Sequence, residues 1–176
     1  MKLYYKRTGW GGEGSYLCIA DIDGNKRYDL RRSDRLAKRI IIRDNDKNDV
    51  AMVKQVLKSL LPRYQIIIGD EVVLEVKKEF QPLIPKYTLS GSLGWEINSL
   101  PIKHLFEATR DGVMMMRSNG TQDVQWWPHV AHYEIEYPGA AEELPAVALS
   151  VAINMAIEGE KFMKTREEIR EMQKKE

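Results

Sequence analysis

Apolar and polar residues alternate in short runs along most of the chain. In the run Val72–Lys77, apolar Leu74 and Val76 alternate with polar Glu75 and Lys77, and this period of two is typical of a strand with one buried face. Turn-forming Gly, Pro, Asp or Asn residues separate the runs. We count about twelve runs, and short strands joined by hairpin turns at such regular spacing indicate an antiparallel sandwich or barrel.

The C-terminal quarter of the chain has a different pattern. Between Ala146 and Ile157 the only polar residues are Ser150 and Asn154. These two lie four positions apart, on one narrow stripe of a helix, so every other face is apolar. A helix that is apolar all round must be buried on nearly all sides. The pattern therefore predicts a central helix over about residues 142–159, with acidic residues at its start that suit the helix dipole.

A closed barrel covers every face of such a helix, whereas a layered sandwich would cover one face. Closure also removes exposed strand edges, which favour aggregation. The sequence therefore predicts a mainly β fold, an antiparallel barrel of about twelve strands closed around a central hydrophobic C-terminal α-helix. The barrel would be a single domain over residues 1–160, and residues 161–176 would form a charged C-terminal helical tail.

The composition agrees with one globular domain. The chain has 176 residues, 43% of them apolar, and its one cysteine, Cys18, has no partner for a disulfide. These values exclude a low-complexity disordered chain and a disulfide scaffold. The formal net charge of +1 argues against a dedicated nucleic-acid binder. The charge is unevenly distributed, with +6 over residues 1–60, −7 over residues 61–160 and +2 over residues 161–176.

The sequence also predicts a location. The segment Met1–Arg7 has no apolar core of a secretory signal. The apolar stretch Leu144–Ile157 contains 14 residues, and as a helix it would span about 21 Å, less than the ~30 Å hydrocarbon core of a bilayer. We therefore expect a cytoplasmic protein that is not transmembrane and that would meet a membrane only at its surface.

The densest cluster of basic residues lies in the first third of the chain. Arginine suits phosphate oxygens because its guanidinium group donates two parallel hydrogen bonds. One interpretation is an anion site for a lipid headgroup or another phosphate, and the alternative is a solvated loop whose charges aid solubility. The predicted anion-binding residues are Arg31, Arg32, Arg35, Lys38, Arg39 and Arg43.

The spacing of reactive residues gives no catalytic or metal-binding arrangement. His129 and His132, with His104 elsewhere, are the best metal candidates. Zinc needs further ligands, however, and a separation of three puts two strand side chains on opposite faces. Cys18 lies in an apolar run, where a buried structural thiol is usual. No P-loop, dinucleotide fingerprint or nucleophile elbow is present. We predict a non-enzymatic protein without catalytic residues, metal or cofactor.

The order of several motifs resembles that of a known family. The motifs are Lys54-Gln55-Val56-Leu57, Pro62-Arg63-Tyr64-Gln65-Ile66, Val76-Lys77-Lys78-Glu79-Phe80, Pro85-Lys86-Tyr87 and the apolar run Leu144–Gly159. In this order they resemble the LURP-one-related family of the tubby C-terminal-like superfamily, which is distantly similar to phospholipid scramblases. The likeness covers about residues 1–160 in layout. It implies a twelve-stranded barrel with a central C-terminal helix, in agreement with the hydrophobic pattern.

The resemblance implies a general class of function. Tubby domains bind phosphoinositides, scramblases act at membranes, and the family offers no catalytic residues to carry over. The segment Arg31–Arg39 is more basic than the family pattern, and the tail after Gly159 is longer. We expect a cytoplasmic binding module for an anionic phospholipid headgroup, another phosphate-bearing ligand or a partner protein. The alternative is a scaffold or protein-interaction domain that has no small ligand and uses the tail 161–176.

Overall fold

The fold consists of twelve β-strands and one long α-helix. The computed structural model describes residues 1–8, 16–34, 39–57, 59, 61–79, 86–98, 105–121 and 132–173. The elements in these ranges are β1 Lys2–Thr8, β2 Tyr16–Ala20, β3 Lys26–Asp34, β4 Arg39–Arg43, β5 Asp49–Gln55, β6 Arg63–Ile68, β7 Glu71–Glu79, β8 Lys86–Ser90, β9 Glu96–Ile97, β10 Phe106–Arg110, β11 Val113–Thr121, β12 His132–Glu136 and α1 Ala140–Gln173.

All twelve strands belong to one antiparallel sheet. Strands that follow each other in the chain are paired, except for β8 and β9, which form the two ends of the strand order. In addition, β1 pairs with β12. The sheet curves around α1 as a nearly closed barrel. The predicted fold class, an antiparallel barrel of about twelve strands around a hydrophobic C-terminal helix, is therefore confirmed.

The core lies between α1 and the inward faces of the strands. From Ala146 to Ile153 every helix residue is at most 1% exposed. The strands alternate as their sequences predict: on β4, Ile40 and Ile42 are buried, and Ile41 between them is half-buried on the outer face. The helix begins at Ala140 and continues without a break to Gln173, so the predicted barrel helix and most of the predicted tail form one element.

The first half of α1 is apolar on average. The segment Ala140–Ile157 has a mean hydropathy of 1.4 over 18 residues, so by length and composition it could cross a membrane. In the protein, 67% of this segment is buried. Its apolarity is accounted for by the barrel core.

Tight turns join the strands at the end of the barrel where α1 enters. Asp21 accepts a hydrogen bond from the backbone N–H of Asn25, and Asp44 accepts one from Asn48, both at 2.8 Å. Both residues of the turn Asp111-Gly112 have positive φ angles, 52° and 78°, which is the geometry of a two-residue hairpin turn. Because the strands are antiparallel, the strand ends that flank residues 35–38 lie at the opposite end.

A buried carboxylate at the turn end fixes the helix in the barrel. Glu143, in the first turns of α1, accepts hydrogen bonds from the hydroxyl groups of Tyr137 at 2.7 Å and Tyr28 at 2.8 Å. Arg27 Nη2 donates a third, at 3.1 Å. The sequence predicted only a favourable interaction with the helix dipole. The structure adds three donors that tie α1 to β3 and to the end of β12.

These bonds determine the ionisation of the cluster. Burial alone would raise the pKa of Glu143, but the hydrogen bonds from Tyr137, Tyr28 and Arg27 outweigh it and the pKa is lowered. Burial, together with the bond to Glu143, raises the pKa of both tyrosines well above the ordinary value. A carboxylate whose pKa is lowered in the fold stabilises it above the unfolded-state pKa, and this contribution is lost as the pH falls through the folded-state pKa.

We predict that Glu143→Gln will destabilise the protein at pH 7 by about 2 kcal/mol, the usual contribution of hydrogen bonds to a charged group. The difference in the free energy of unfolding between the variant and the wild type should persist down to about pH 5 and become smaller below about pH 4, around the ordinary pKa of a glutamate. Urea unfolding across this pH range measures it. Glu142→Gln, at the neighbouring position, is the matched control. A difference that does not change with pH would contradict the charge-based account.

A second prediction concerns an unpaired hydroxyl in the core. Ser150 is 1% exposed, and its Oγ has no hydrogen-bond partner among the described residues. Burying an unpaired polar group is costly, and alanine is also the better helix former. We expect Ser150→Ala to raise the free energy of unfolding by about 1 kcal/mol, while Ser90→Ala on exposed β8 should change it by less than about 0.5 kcal/mol. A loss of stability would contradict the prediction that this hydroxyl is unpaired.

Candidate functional site

Three residues of the predicted basic cluster lie at one end of the barrel. Arg31 and Arg32 are near the end of β3, and Arg39 begins β4. All three are exposed. Arg35 and Lys38 lie outside the described residues. The β3–β4 pair thus brings Arg31, Arg32 and Arg39 to the end opposite the tight turns.

Arg43 is not part of this group. It ends β4, four residues from Arg39 and therefore about 13 Å away along the strand. Its guanidinium group bonds the Asp49 carboxylate, with Nε and Nη2 each 2.7 Å from Oδ1. The hydrogen bond to Asp49 raises the pKa of Arg43. This arginine is engaged in an ion pair near the tight turns.

Strand pairing adds a cation that the sequence analysis missed. Lys54 on β5 is the direct register partner of Arg39 on β4. Like charges at directly opposed positions of neighbouring strands destabilise a sheet. Lys54 is 15 positions from Arg39 in the sequence, so only the pairing of β4 with β5 shows that the two belong together.

Seven other basic residues in the described ranges have a carboxylate partner, whereas Lys47, Lys77 and Arg110 have none there. Arg31, Arg39 and Lys54 likewise have no hydrogen bond or ion pair among the side chains that the structure describes, which do not include that of Asp34. We call these three residues the basic face. The ion pairs elsewhere join Lys2 to Glu134, Lys26 to Asp29, Arg27 to Glu143, Arg63 to Glu75, Lys86 to Glu79 and Arg117 to Glu107, at N···O distances of 2.6–3.4 Å.

The register also gives the basic face one acidic neighbour. β3 places Asp34 opposite Arg39, next to an irregularity in the pairing of β3 with β4. By register the face therefore has three basic residues and one acidic neighbour, and its formal charge is net positive. The arrangement can attract an anion and donate several hydrogen bonds to it.

An apolar row crosses the outer face of the barrel beside these cations. Ile41, Met52 and Ile67 are half-buried, and Val72 is 45% exposed. Each is the register partner of the next, across β4, β5, β6 and β7. We call these four residues the outer apolar row. Aliphatic side chains on the outer face of a barrel, next to unpaired cations, suit a surface that other molecules contact.

The remaining candidates bring no reactive groups together. No three His, Cys, Asp or Glu residues in the described ranges could hold a metal ion. His104 and His129 lie outside these ranges, and His132 is on β12 opposite Thr121 of β11. Cys18 is half-buried on β2 and is in no disulfide. The basic face differs from the other unpaired basic residues of the described surface because Arg39 and Lys54 are directly opposed on neighbouring strands.

Comparisons with known proteins place the chain beside two others. No family model matches it. It is 32% identical over 114 residues to the uncharacterised protein YxjI of Bacillus subtilis, a match that covers 65% of this chain and 67% of YxjI. Its fold is similar to an X-ray structure of an Arabidopsis thaliana protein, with a TM-score of 0.57 and 10% identity, over 87% of this chain and 90% of that one.

The two matches support different conclusions. At 10% identity, the Arabidopsis structure shows a shared fold alone. The similarity to YxjI is higher and extends over two thirds of that protein. The chain belongs to the same protein family as YxjI of Bacillus subtilis.

Proposed function

We propose that this chain is a non-enzymatic binding module that holds a phosphate-bearing anion on its basic face. We also propose that it is a member of the LURP-one-related branch of the tubby-like proteins. The likeness of its fold to the Arabidopsis structure and the order of its sequence motifs support that assignment.

One observation carries the functional proposal: Arg39 and Lys54 are directly opposed on neighbouring strands and have no anionic partner in the described residues. A phosphate between them would replace like-charge repulsion with two attractions. The guanidinium group of Arg39 can donate two parallel hydrogen bonds to phosphate oxygens, and the ammonium group of Lys54 adds a point charge with up to three donors. Arg31 adds a third positive charge on the neighbouring strand.

The anion would bind from outside the barrel, because α1 fills the interior. Its source is either a lipid headgroup or a soluble phosphate compound. The outer apolar row favours the lipid, since aliphatic side chains next to basic ones are typical of surfaces that lie on anionic bilayers. The proposal therefore includes a cytoplasmic protein that binds peripherally at a membrane.

We predict that the wild type co-sediments with phosphatidylcholine vesicles containing about 20% phosphatidylserine at low salt, where electrostatic attraction is least screened. Arg39→Gln with Lys54→Gln should weaken this binding about 30-fold, because each basic residue near an anionic surface contributes about 1 kcal/mol. The control, Lys47→Gln with Arg110→Gln, removes the same charge from the tight-turn end and should leave binding within about twofold of wild type.

A second arm uses inositol hexakisphosphate in titration calorimetry as a soluble source of phosphate. Binding of this compound without binding of vesicles would assign the site to a soluble ligand. If the wild type binds neither probe at low salt, the anion-binding proposal is wrong.

The scaffold alternative is favoured by one observation, the length of α1. Its backbone continues from the buried residue Ala156 to Gln173, about 25 Å at the usual helical rise. A scaffold that uses this extension would capture the same partner proteins with or without the Arg39 and Lys54 substitutions, and would lose them when residues 161–176 are removed.

A further inference from the structure

Two register rows cross the outer face of β4, β5, β6 and β7 side by side. The first row is charged or polar and consists of Arg39, Lys54, Gln65 and Glu75. The second is the outer apolar row, Ile41, Met52, Ile67 and Val72. Because strands are about 4.8 Å apart, each row is about 14 Å long.

Both rows are self-complementary about the boundary between β5 and β6. The polar row begins with two cations, Arg39 and Lys54, and ends with the carboxylate of Glu75. A two-fold axis parallel to the strands at this boundary would set Arg39 of one copy against Glu75 of another, and Lys54 against Gln65. The same axis would set apolar side chains against apolar side chains along the whole second row.

We propose that this face binds a second copy of the chain as a two-fold symmetric dimer. A two-fold interface requires one patch that is complementary to itself, and the two rows meet this requirement in charge and in apolarity. An anionic bilayer would satisfy the cations at the β4 side. The bilayer and a second copy of the chain would therefore compete for these cations.

The partner groups have capacity for these contacts. Glu75 is 21% exposed, and its oxygens lie 3.3 Å from Arg63 Nε and 3.3 Å from Gln65 Nε2. A carboxylate accepts about four hydrogen bonds, so Glu75 can accept further bonds from an arginine of a second copy. Arg39 is exposed and has no partner among the described side chains, so it can reorient toward Glu75 of a second copy.

The interface would be weak. Two rows of four side chains make a smaller patch than the roughly 800 Å² per partner of a standard stable interface. We therefore expect a reversible dimer that becomes populated at protein concentrations of about 100 μM or higher.

Dimerisation would regulate the proposed anion site, and this part of the inference rests on the proposed function. Arg39 and Lys54 would be occupied by Glu75 and Gln65 of the second copy, so an anion bound there would compete with the dimer. Such coupling is reciprocal: the anion weakens the dimer by the same factor as the dimer weakens anion binding.

Sedimentation velocity of the full chain at about 10 to 500 μM tests the inference. For the wild type, we expect the weight-average mass to rise from monomer toward dimer. Met52→Asp at the centre of the face should raise the dimer dissociation constant at least tenfold. Thr88→Asp, on β8 outside both rows, is the matched control and should leave the dissociation constant unchanged. Circular dichroism and thermal unfolding establish that each variant is folded.

Exchange of the charges of Arg39 and Glu75 is a second test that does not depend on the folding of Met52→Asp. Arg39→Glu alone and Glu75→Arg alone should each weaken the dimer, because each sets like charges against each other. The double variant restores opposite charges across the axis and should recover most of the affinity. A wild type that stays monomeric at every concentration, or single variants that dimerise like wild type, would overturn the proposal.

Adding inositol hexakisphosphate to the wild type separates this inference from the proposed function. If both hold, the compound shifts the mass toward monomer. A dimer in a protein that binds neither the compound nor the vesicles would contradict only the anion-binding proposal. A protein that binds the compound and remains monomeric throughout would contradict only the dimer.

Discussion

The fold depends on one requirement, which is the burial of a helix that has no polar face. Between Ala146 and Ile153 the helix exposes almost nothing to solvent. One sheet must therefore contact it from nearly every direction, and twelve antiparallel strands curve around it. Because the helix fills the interior, another molecule can contact the outer face or the two ends of the barrel.

Antiparallel connectivity places different types of residue at the two ends of the barrel. Tight turns rich in Asp, Asn and Gly gather at the end where the helix enters, since these residues adopt turn conformations readily. At that end, Glu143 receives three hydrogen bonds and ties the first turns of α1 to β3 and the end of β12. The carboxylate is thus both the anchor of the helix and the titratable group on which the helix position depends.

The surplus positive charge of the first third of the chain is not spread evenly over the surface. Within β3–β5, Lys26 and Arg43 are neutralised by Asp29 and Asp49. Among the described side chains of these three strands, Arg31, Arg39 and Lys54 have no ion pair. Strand pairing therefore brings basic residues of β3, β4 and β5 together in a small face on the outside of the barrel, next to aliphatic side chains.

The sequence alone was sufficient to predict the fold class and the central helix, because both follow from the period of apolar residues, which is a local property. It also located Arg31, Arg32 and Arg39, which are neighbours on one hairpin. It could not separate Arg43 from this group or add Lys54 to it, since strand register decides which distant residues become neighbours. The three donors to Glu143 and the self-complementary rows on β4–β7 likewise exist only once the strands are paired, because each combines side chains from segments far apart in the chain.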